Sequence, residues 1–130
     1  MRSWSHLPTY YNELQFYQSN VWNFPSSEVA VGNLGLAYTR VGMGGSAFDM
    51  WAAGTRINPE YDVNWYNLAS ILRGNGQLEM AQQHMAKALS SRSCHFPADW
   101  TREMHELNSH VAQMKRPPLG LTRPCHLGVR

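Results

Sequence analysis

The chain has no long apolar segment. Its 130 residues contain no uninterrupted run of about eighteen apolar residues, the length that a membrane-spanning helix requires. The first residues also lack a charged region followed by an apolar stretch, which a secretory signal peptide would show. We therefore expect neither a membrane span nor a signal peptide in this chain.

Cysteine and charge are also scarce. The two cysteines, Cys94 and Cys125, are too few for a disulfide scaffold, so they favour a reducing compartment and, by default, the cytoplasm. Charged residues make up 15% of the chain and the net charge is +2. This balance is too small to indicate a nucleic-acid partner.

Aromatic residues, in contrast, are abundant. The chain contains five Trp, six Tyr and four Phe, which indicates either a well-anchored core or an aromatic binding surface. The length predicts a single domain with a modest core.

The stretch from Glu28 to His95 repeats itself with a period of about 34 residues, a length typical of helical repeat arrays. A shift by this period superimposes identical residues, including the pairs Val29 and Val63, Asn33 and Asn67, Leu34 and Leu68, Gly42 and Gly76, and Ala47 and Ala81. The retained positions are mostly apolar, small or turn-forming, so the period reflects packing. A fixed period of this kind is the signature of a solenoid, whose unit buries its apolar face only against neighbouring units.

The repeats resemble the tetratricopeptide repeat (TPR) family, whose motif spaces a bulky residue, Leu-Gly, Tyr, Gly, Ala, an aromatic residue, Ala and Pro. The first repeat supplies Val31, Leu34, Gly35, Tyr38, Gly42, Ala47, Trp51, Gly54 and Pro59. The second repeat supplies Trp65, Leu68, Ala69, Leu72, Gly76, Ala81, Met85 and Ala88, with Ser93 in place of the Pro. The resemblance implies an all-α solenoid of antiparallel helix pairs, with a concave face that commonly binds peptides.

The repeat register divides residues 1–116 into the parts of one TPR-like domain. Residues 8–24 are expected to form the second helix of a partial repeat, 28–61 and 62–95 two full repeats, and 97–116 a C-terminal capping helix. The capping helix carries an apolar stripe of Trp100, Met104, Leu107, Val111 and Met114. Residues 117–130 are interpreted as a flexible tail, because Pro117 and Pro118 stop the helix.

The first helix lacks the partner helix that a full repeat would provide. Its uncovered face is expected to include some of Leu7, Tyr10, Tyr11 and Leu14, and an apolar patch of this kind usually contacts another surface. Tyr10, Tyr11 and Leu14 are the predicted self-association residues. Two explanations stay open. The chain is part of a longer protein, or the helix packs on a second copy in a homo-oligomer.

Three motifs that suggest chemistry are better explained by structure. The Gly-rich run 42–46 lacks the Lys and the preceding strand of a phosphate loop. His105 and His110 point about 140° apart on a helix, whereas zinc ligands of a zincin are four residues apart. The pairs Cys94–His95 and Cys125–His126 could supply four zinc ligands, although unrelated side chains are favoured. We therefore predict no catalytic residue, no metal site and no cofactor.

The resemblance also implies where a peptide would bind. In TPR arrays the first helix of each repeat lines the groove, on the side away from its Leu and Tyr. Transferred position by position, the predicted peptide-binding residues are Asn33, Leu36, Arg40, Tyr66, Asn67, Ser70 and Arg73. An Asn amide can both donate to and accept from a peptide backbone, and Arg can pair with a ligand carboxylate. A hydrogen bond between helices is the alternative role for Asn33 and Asn67.

These observations favour a non-catalytic module that binds a peptide or a partner protein. Two alternatives remain. The segment from Leu14 to Leu34 resembles the junction in polytopic sugar transferases with C-terminal TPRs, which would make the chain an extracytoplasmic part of a larger membrane-associated enzyme. The second alternative is a self-assembling scaffold.

Overall fold

The structure, a computed structural model, describes residues 7–93, 95 and 97–114. The regular secondary structure of these residues is entirely α-helical, which confirms the all-α prediction. The helices are α1 (Leu7–Asn23), α2 (Glu28–Arg40), α3 (Gly44–Ile57), α4 (Asp62–Gly74), α5 (Leu78–Ser90) and α6 (Pro97–Gln113). None of these helices is long and apolar enough to cross a membrane.

The helix boundaries repeat with the period found in the sequence. The starts of α2 and α4 are separated by one full period, and so are the starts of α3 and α5. A glycine with positive φ lies in the turn of each pair, Gly42 at 82° and Gly76 at 81°. Glycine adopts this backbone conformation without the steric penalty of a side chain, so it can end the first helix of each pair. α3 begins at Gly44, directly after this turn.

The chain divides into two compact units, Met1–Asn58 and Pro59–Arg130. In the first unit α2 contacts both α1 and α3, and in the second unit α5 contacts both α4 and α6. Each unit therefore has one helix that contacts the two others.

A small apolar cluster joins α1 to α2 in the first unit. Its buried centre consists of Leu14, Leu34 and Ala37. Partly buried side chains surround this centre: Tyr17, Val21, Tyr38, Val41 and Met50. The placement of Leu14 corrects the sequence prediction of an uncovered face, because packing against α2 leaves this side chain only 7% exposed.

Trp51 anchors α3 to α2. Its indole Nε1 donates to the carbonyl oxygen of Gly32 at 3.1 Å, and the side chain is 4% exposed. The ring lies against Gly35, where an added Cβ would come within 2.3 Å of the indole nitrogen. A residue without a side chain is therefore required at this position for the ring to approach the helix.

The second unit has a larger core. The buried residues of its main cluster are Ala69, Met85, Ala88, Leu89, Trp100 and Met104. Leu107 and Val111 of α6 are also fully buried, as the apolar stripe predicts. Met114 at the end of that stripe is instead 49% exposed, because α6 ends at Gln113. The predicted tail 117–130 lies outside the described residues.

Candidate interaction surface

The predicted binding residues of α2 form a row along one helix face. Asn33, Leu36 and Arg40 are spaced by three and four residues, which places them on the same side of the helix. Val29 lies one turn before Asn33 in the same row. Val29 and Leu36 are 45% and 37% exposed, and Asn33 is half-buried. The first unit thus presents two apolar side chains to solvent with an amide between them.

Arg40, at the end of this row, already has a partner in the first unit. Its guanidinium donates to the Glu13 carboxylate of α1. The side chains of Arg40 and Glu13 are 46% and 28% exposed, so solvent screens the pair and its contribution to stability is small. A ligand carboxylate would have to share Arg40 with Glu13 or displace Glu13 from Arg40.

On α4, two predicted binding residues face α6. The Tyr66 hydroxyl donates to Glu103 Oε1 at 3.0 Å, and its ring stacks on Trp100 with centroids 4.6 Å apart. Arg73 Nη2 lies 3.4 Å from Glu106 Oε2. These contacts occupy the groups that the sequence assigns to a ligand.

The environment of Tyr66 keeps its hydroxyl protonated. Burial raises the pKa of Tyr66 above its ordinary value, although a hydrogen bond from Ser70 opposes the increase. The hydrogen bond and the negative charge of Glu103 raise this pKa further, and the positive charge of Arg73 lowers it. The Tyr66 hydroxyl is therefore a hydrogen-bond donor near neutral pH. The structure brings Tyr66, Ser70 and Arg73 together at this site.

Asn67 differs from its neighbours on α4. Its side-chain nitrogen Nδ2 is buried and has no hydrogen-bond partner among the described residues. Leaving a buried donor unpaired costs about 1–3 kcal/mol. Within the described part of the chain, this nitrogen does not make the hydrogen bond between helices that the sequence suggested as the alternative role.

Among the described large apolar side chains, the most exposed lie on and just after α1, at residues that the sequence analysis did not assign to a surface. Trp22 is 86% exposed and Phe24 is 64% exposed. Next to them is a cavity of about 400 Å³ that we call the α1 groove, lined by Gln18, Val21, Trp22, Pro25 and Leu34. Of the predicted self-association residues, Tyr11 is 50% exposed and Tyr10 is half-buried.

The repeat register contains a signal for this surface. Tyr11, Phe16 and Trp22 are all exposed on α1. The corresponding residues are Gly45, Met50 and Arg56 in α3, and Glu79, His84 and Ser90 in α5. Tyr, Phe and Trp occupy these positions only in the first of the three helices, which indicates a local role for the rings.

A buried carboxylate connects the start of α4 to the segment after α5 in the second unit. Asp62, the first residue of α4, is fully buried. Its Oδ1 accepts a hydrogen bond from Ser93 Oγ at 2.5 Å, and its Oδ2 accepts one from the backbone nitrogen of His95 at 2.5 Å. The ring nitrogen Nδ1 of His95 also lies 2.5 Å from Oδ1. Ser93 Oγ accepts from the backbone nitrogen of Asp62 at 2.7 Å.

The contacts of Asp62, Ser93 and His95 are those of a structural cluster and not of a catalytic triad. In a nucleophilic triad the His lies between the Ser and the carboxylate, whereas here Ser93 and His95 both contact the Asp62 carboxylate directly. Tyr61, which precedes α4, provides no side-chain cap, and Ser93 supplies this function from a distant part of the sequence. The cluster therefore fastens the segment after α5 to the start of α4.

No group of three His, Cys, Asp or Glu residues in the described ranges could hold a metal ion. Cys94, Cys125 and His126, which belong to the zinc alternative, lie outside these ranges. No family model matches the chain. A search of curated proteins finds no match either. The TPR relationship therefore stays a prediction that rests on the repeat residues.

Proposed function

We propose that the chain is a non-catalytic, TPR-like module that binds a peptide or a partner protein along α2. The observation that carries this proposal is the row on α2, where exposed Val29 and Leu36 flank Asn33. Two exposed apolar side chains can bury alternate side chains of an extended peptide, and the amide between them can bond to its backbone.

Contacts within the first unit support helix pairing of the TPR kind. Trp51 in the middle of α3 bonds to Gly32 in α2, and Asn58 after α3 bonds to Glu28 at the start of α2 at 3.1 Å. Together with the tight turn at Gly42, these contacts are those of two helices that run in opposite directions. The same boundaries and the same turn glycine recur one period later.

Contacts within the second unit support a capping role for α6. The buried stripe of this helix packs into the same core as α5. Its Glu103 and Glu106 engage Tyr66 and Arg73. A ligand on α4 would compete with these carboxylates, so we assign the main contribution to binding to α2.

The double variant Asn33→Ala/Leu36→Ala tests this assignment. We expect it to weaken the affinity for a partner by about tenfold or more, since apolar anchors near the centre of an interface dominate its energy. The thermal midpoint should stay close to the wild-type value, because Leu36 is exposed and Asn33 is only half-buried. The measurement is a binding titration with the partner captured by a photo-crosslinker at position 36.

Met43→Ala is the matched control. Met43 is 43% exposed but lies in the turn before α3, outside the row. A crosslinker at position 43 should not capture the partner, and the variant should bind it with wild-type affinity. Wild-type affinity of the double variant would contradict the proposal.

A further inference from the structure

We propose that the α1 groove binds the proline-containing segment Pro117–Leu121 of a second copy of this chain. The surface differs from the row on α2 that carries the proposed function, and the ligand is the chain itself. Two identical contacts would form when two copies exchange these segments, which is a closed, two-fold arrangement.

The shape and charge of the groove define the ligand. None of its five lining residues is charged, and one of them, Leu34, is only 4% exposed. Trp22 forms a wall that is 86% exposed, so one side of the indole is available to a ligand. Grooves that combine aromatic rings with apolar side chains are typical of sites for proline-rich segments in the polyproline II conformation.

The polar groups of the groove fit such a segment. The indole Nε1 of Trp22 can donate a hydrogen bond but cannot accept one. The Gln18 amide nitrogen donates to the Tyr38 hydroxyl at 3.4 Å, and its second hydrogen can serve another acceptor. A proline residue has a carbonyl acceptor but no backbone N–H. Donors on the groove therefore match the carbonyls of a proline-containing ligand.

The segment itself has the required composition. Pro117–Pro118–Leu119–Gly120–Leu121 contains two prolines, two leucines and no charge. An uncharged ligand fits a groove without charges, since neither surface has to desolvate an ion. The segment begins three residues after Met114, the last residue that the structure describes. Every molecule thus carries both the groove and a matching ligand.

The first test is the self-association of the full chain by analytical ultracentrifugation over a range of concentrations. The wild type should dimerise, and Trp22→Ala and Pro117→Ala/Pro118→Ala should each weaken dimerisation by about tenfold or more. Trp22 is 86% exposed, so circular dichroism should show an unchanged helix content for Trp22→Ala. Tyr11→Ala is the matched control, because Tyr11 is an exposed ring on α1 that does not line the groove.

Mixing the two defective variants gives the decisive test. Trp22→Ala retains an intact segment, and Pro117→Ala/Pro118→Ala retains an intact groove. An equimolar mixture should therefore form a heterodimer with one of the two contacts, which native mass spectrometry can identify. The variant Asn33→Ala/Leu36→Ala should dimerise like the wild type, which separates this proposal from the proposed function.

Three results would overturn the inference. The first is a wild-type chain that stays monomeric at all concentrations. The second is undiminished dimerisation of Trp22→Ala. The third is a mixture that contains no heterodimer. The proposal requires one, because the intact segment of Trp22→Ala should bind the intact groove of the proline variant.

Discussion

The two units fill the same position between paired helices with different side-chain pairs. In the first unit Gly35 leaves room for the flat ring of Trp51. At the positions one period later, Ala69 and Met85 are both buried in one cluster. Met is unbranched and flexible, so it can bend around an alanine methyl group. The units therefore share a packed volume between helices rather than particular residues.

Removing the large member of each pair should have the largest effect on stability. Trp51→Ala should lower the free energy of unfolding by about 3–5 kcal/mol and Met85→Ala by about 2–5 kcal/mol, because each leaves a cavity. Trp51→Ala also leaves the Gly32 carbonyl without the bond from the indole. Urea denaturation measures both losses. The exposed Trp22→Ala variant is the control, with a change within about 0.5 kcal/mol.

The start of the first paired helix offers a second comparison, between Asp62 and Glu28. Asp62→Ala should cost on the order of 3 kcal/mol, because it leaves the donors of Ser93 and His95 without their buried acceptor. Glu28→Ala removes the bond to Asn58 and should cost only about 1 kcal/mol. Chemical denaturation of the two variants compares them. Equal losses would show that burial of the Asp62 carboxylate has no energetic consequence.

Exchanging glycine and alanine at the small member of each pair should show how the two pairs differ. Gly35→Ala should lower the free energy of unfolding by about 1–3 kcal/mol, because the indole ring has to move. This loss would exceed the gain of about 0.5–1 kcal/mol that alanine normally brings to a helix. Ala69→Gly should cost about 1–2 kcal/mol, since the second unit loses helix propensity and a buried methyl group.

A double-mutant cycle shows whether the members of a pair are coupled. Gly35→Ala/Trp51→Met copies the second unit into the first, so its loss should be smaller than the sum of the two single losses. Strict additivity of the two losses would mean that Gly35 and Trp51 act independently, and that the comparison between the units is accidental.

The sequence predicts local features of the fold well. Helix periodicity locates the buried stripe of α6, and the turn glycines locate the ends of α2 and α4, because each depends on residues close together in the chain. Predictions that depend on distant contacts were poorer. Leu14 is covered by Leu34 and Ala37, and this contact is not visible in the pattern of α1 alone.

At the candidate site, too, the sequence predicts local features but not contacts between distant residues. The repeat register places Asn33 and Leu36 in one row, because helical spacing decides which residues share a face. It does not reveal that Arg40 contacts Glu13 or that Arg73 contacts Glu106. These partners lie 27 and 33 residues away, and their proximity depends on packing between helices. The Asp62 cluster was missed for the same reason.

The smallest expected effect is a loss of stability at alkaline pH that arises in the second unit alone. Tyr66 corresponds to Gly32 in the first unit, so only the second unit has a hydroxyl at this position. Because the folded-state pKa of Tyr66 is raised, its stabilisation is fully present below the unfolded-state pKa of about 10 and is lost as the pH rises through the folded-state pKa. We expect Tyr66→Phe to lose less stability than the wild type between about pH 9 and pH 12. Glu103→Gln should give an intermediate profile, because it removes a charge that raises the pKa. Denaturation series at each pH measure these profiles, and parallel curves for all three proteins would rule out a contribution from the Tyr66 hydroxyl.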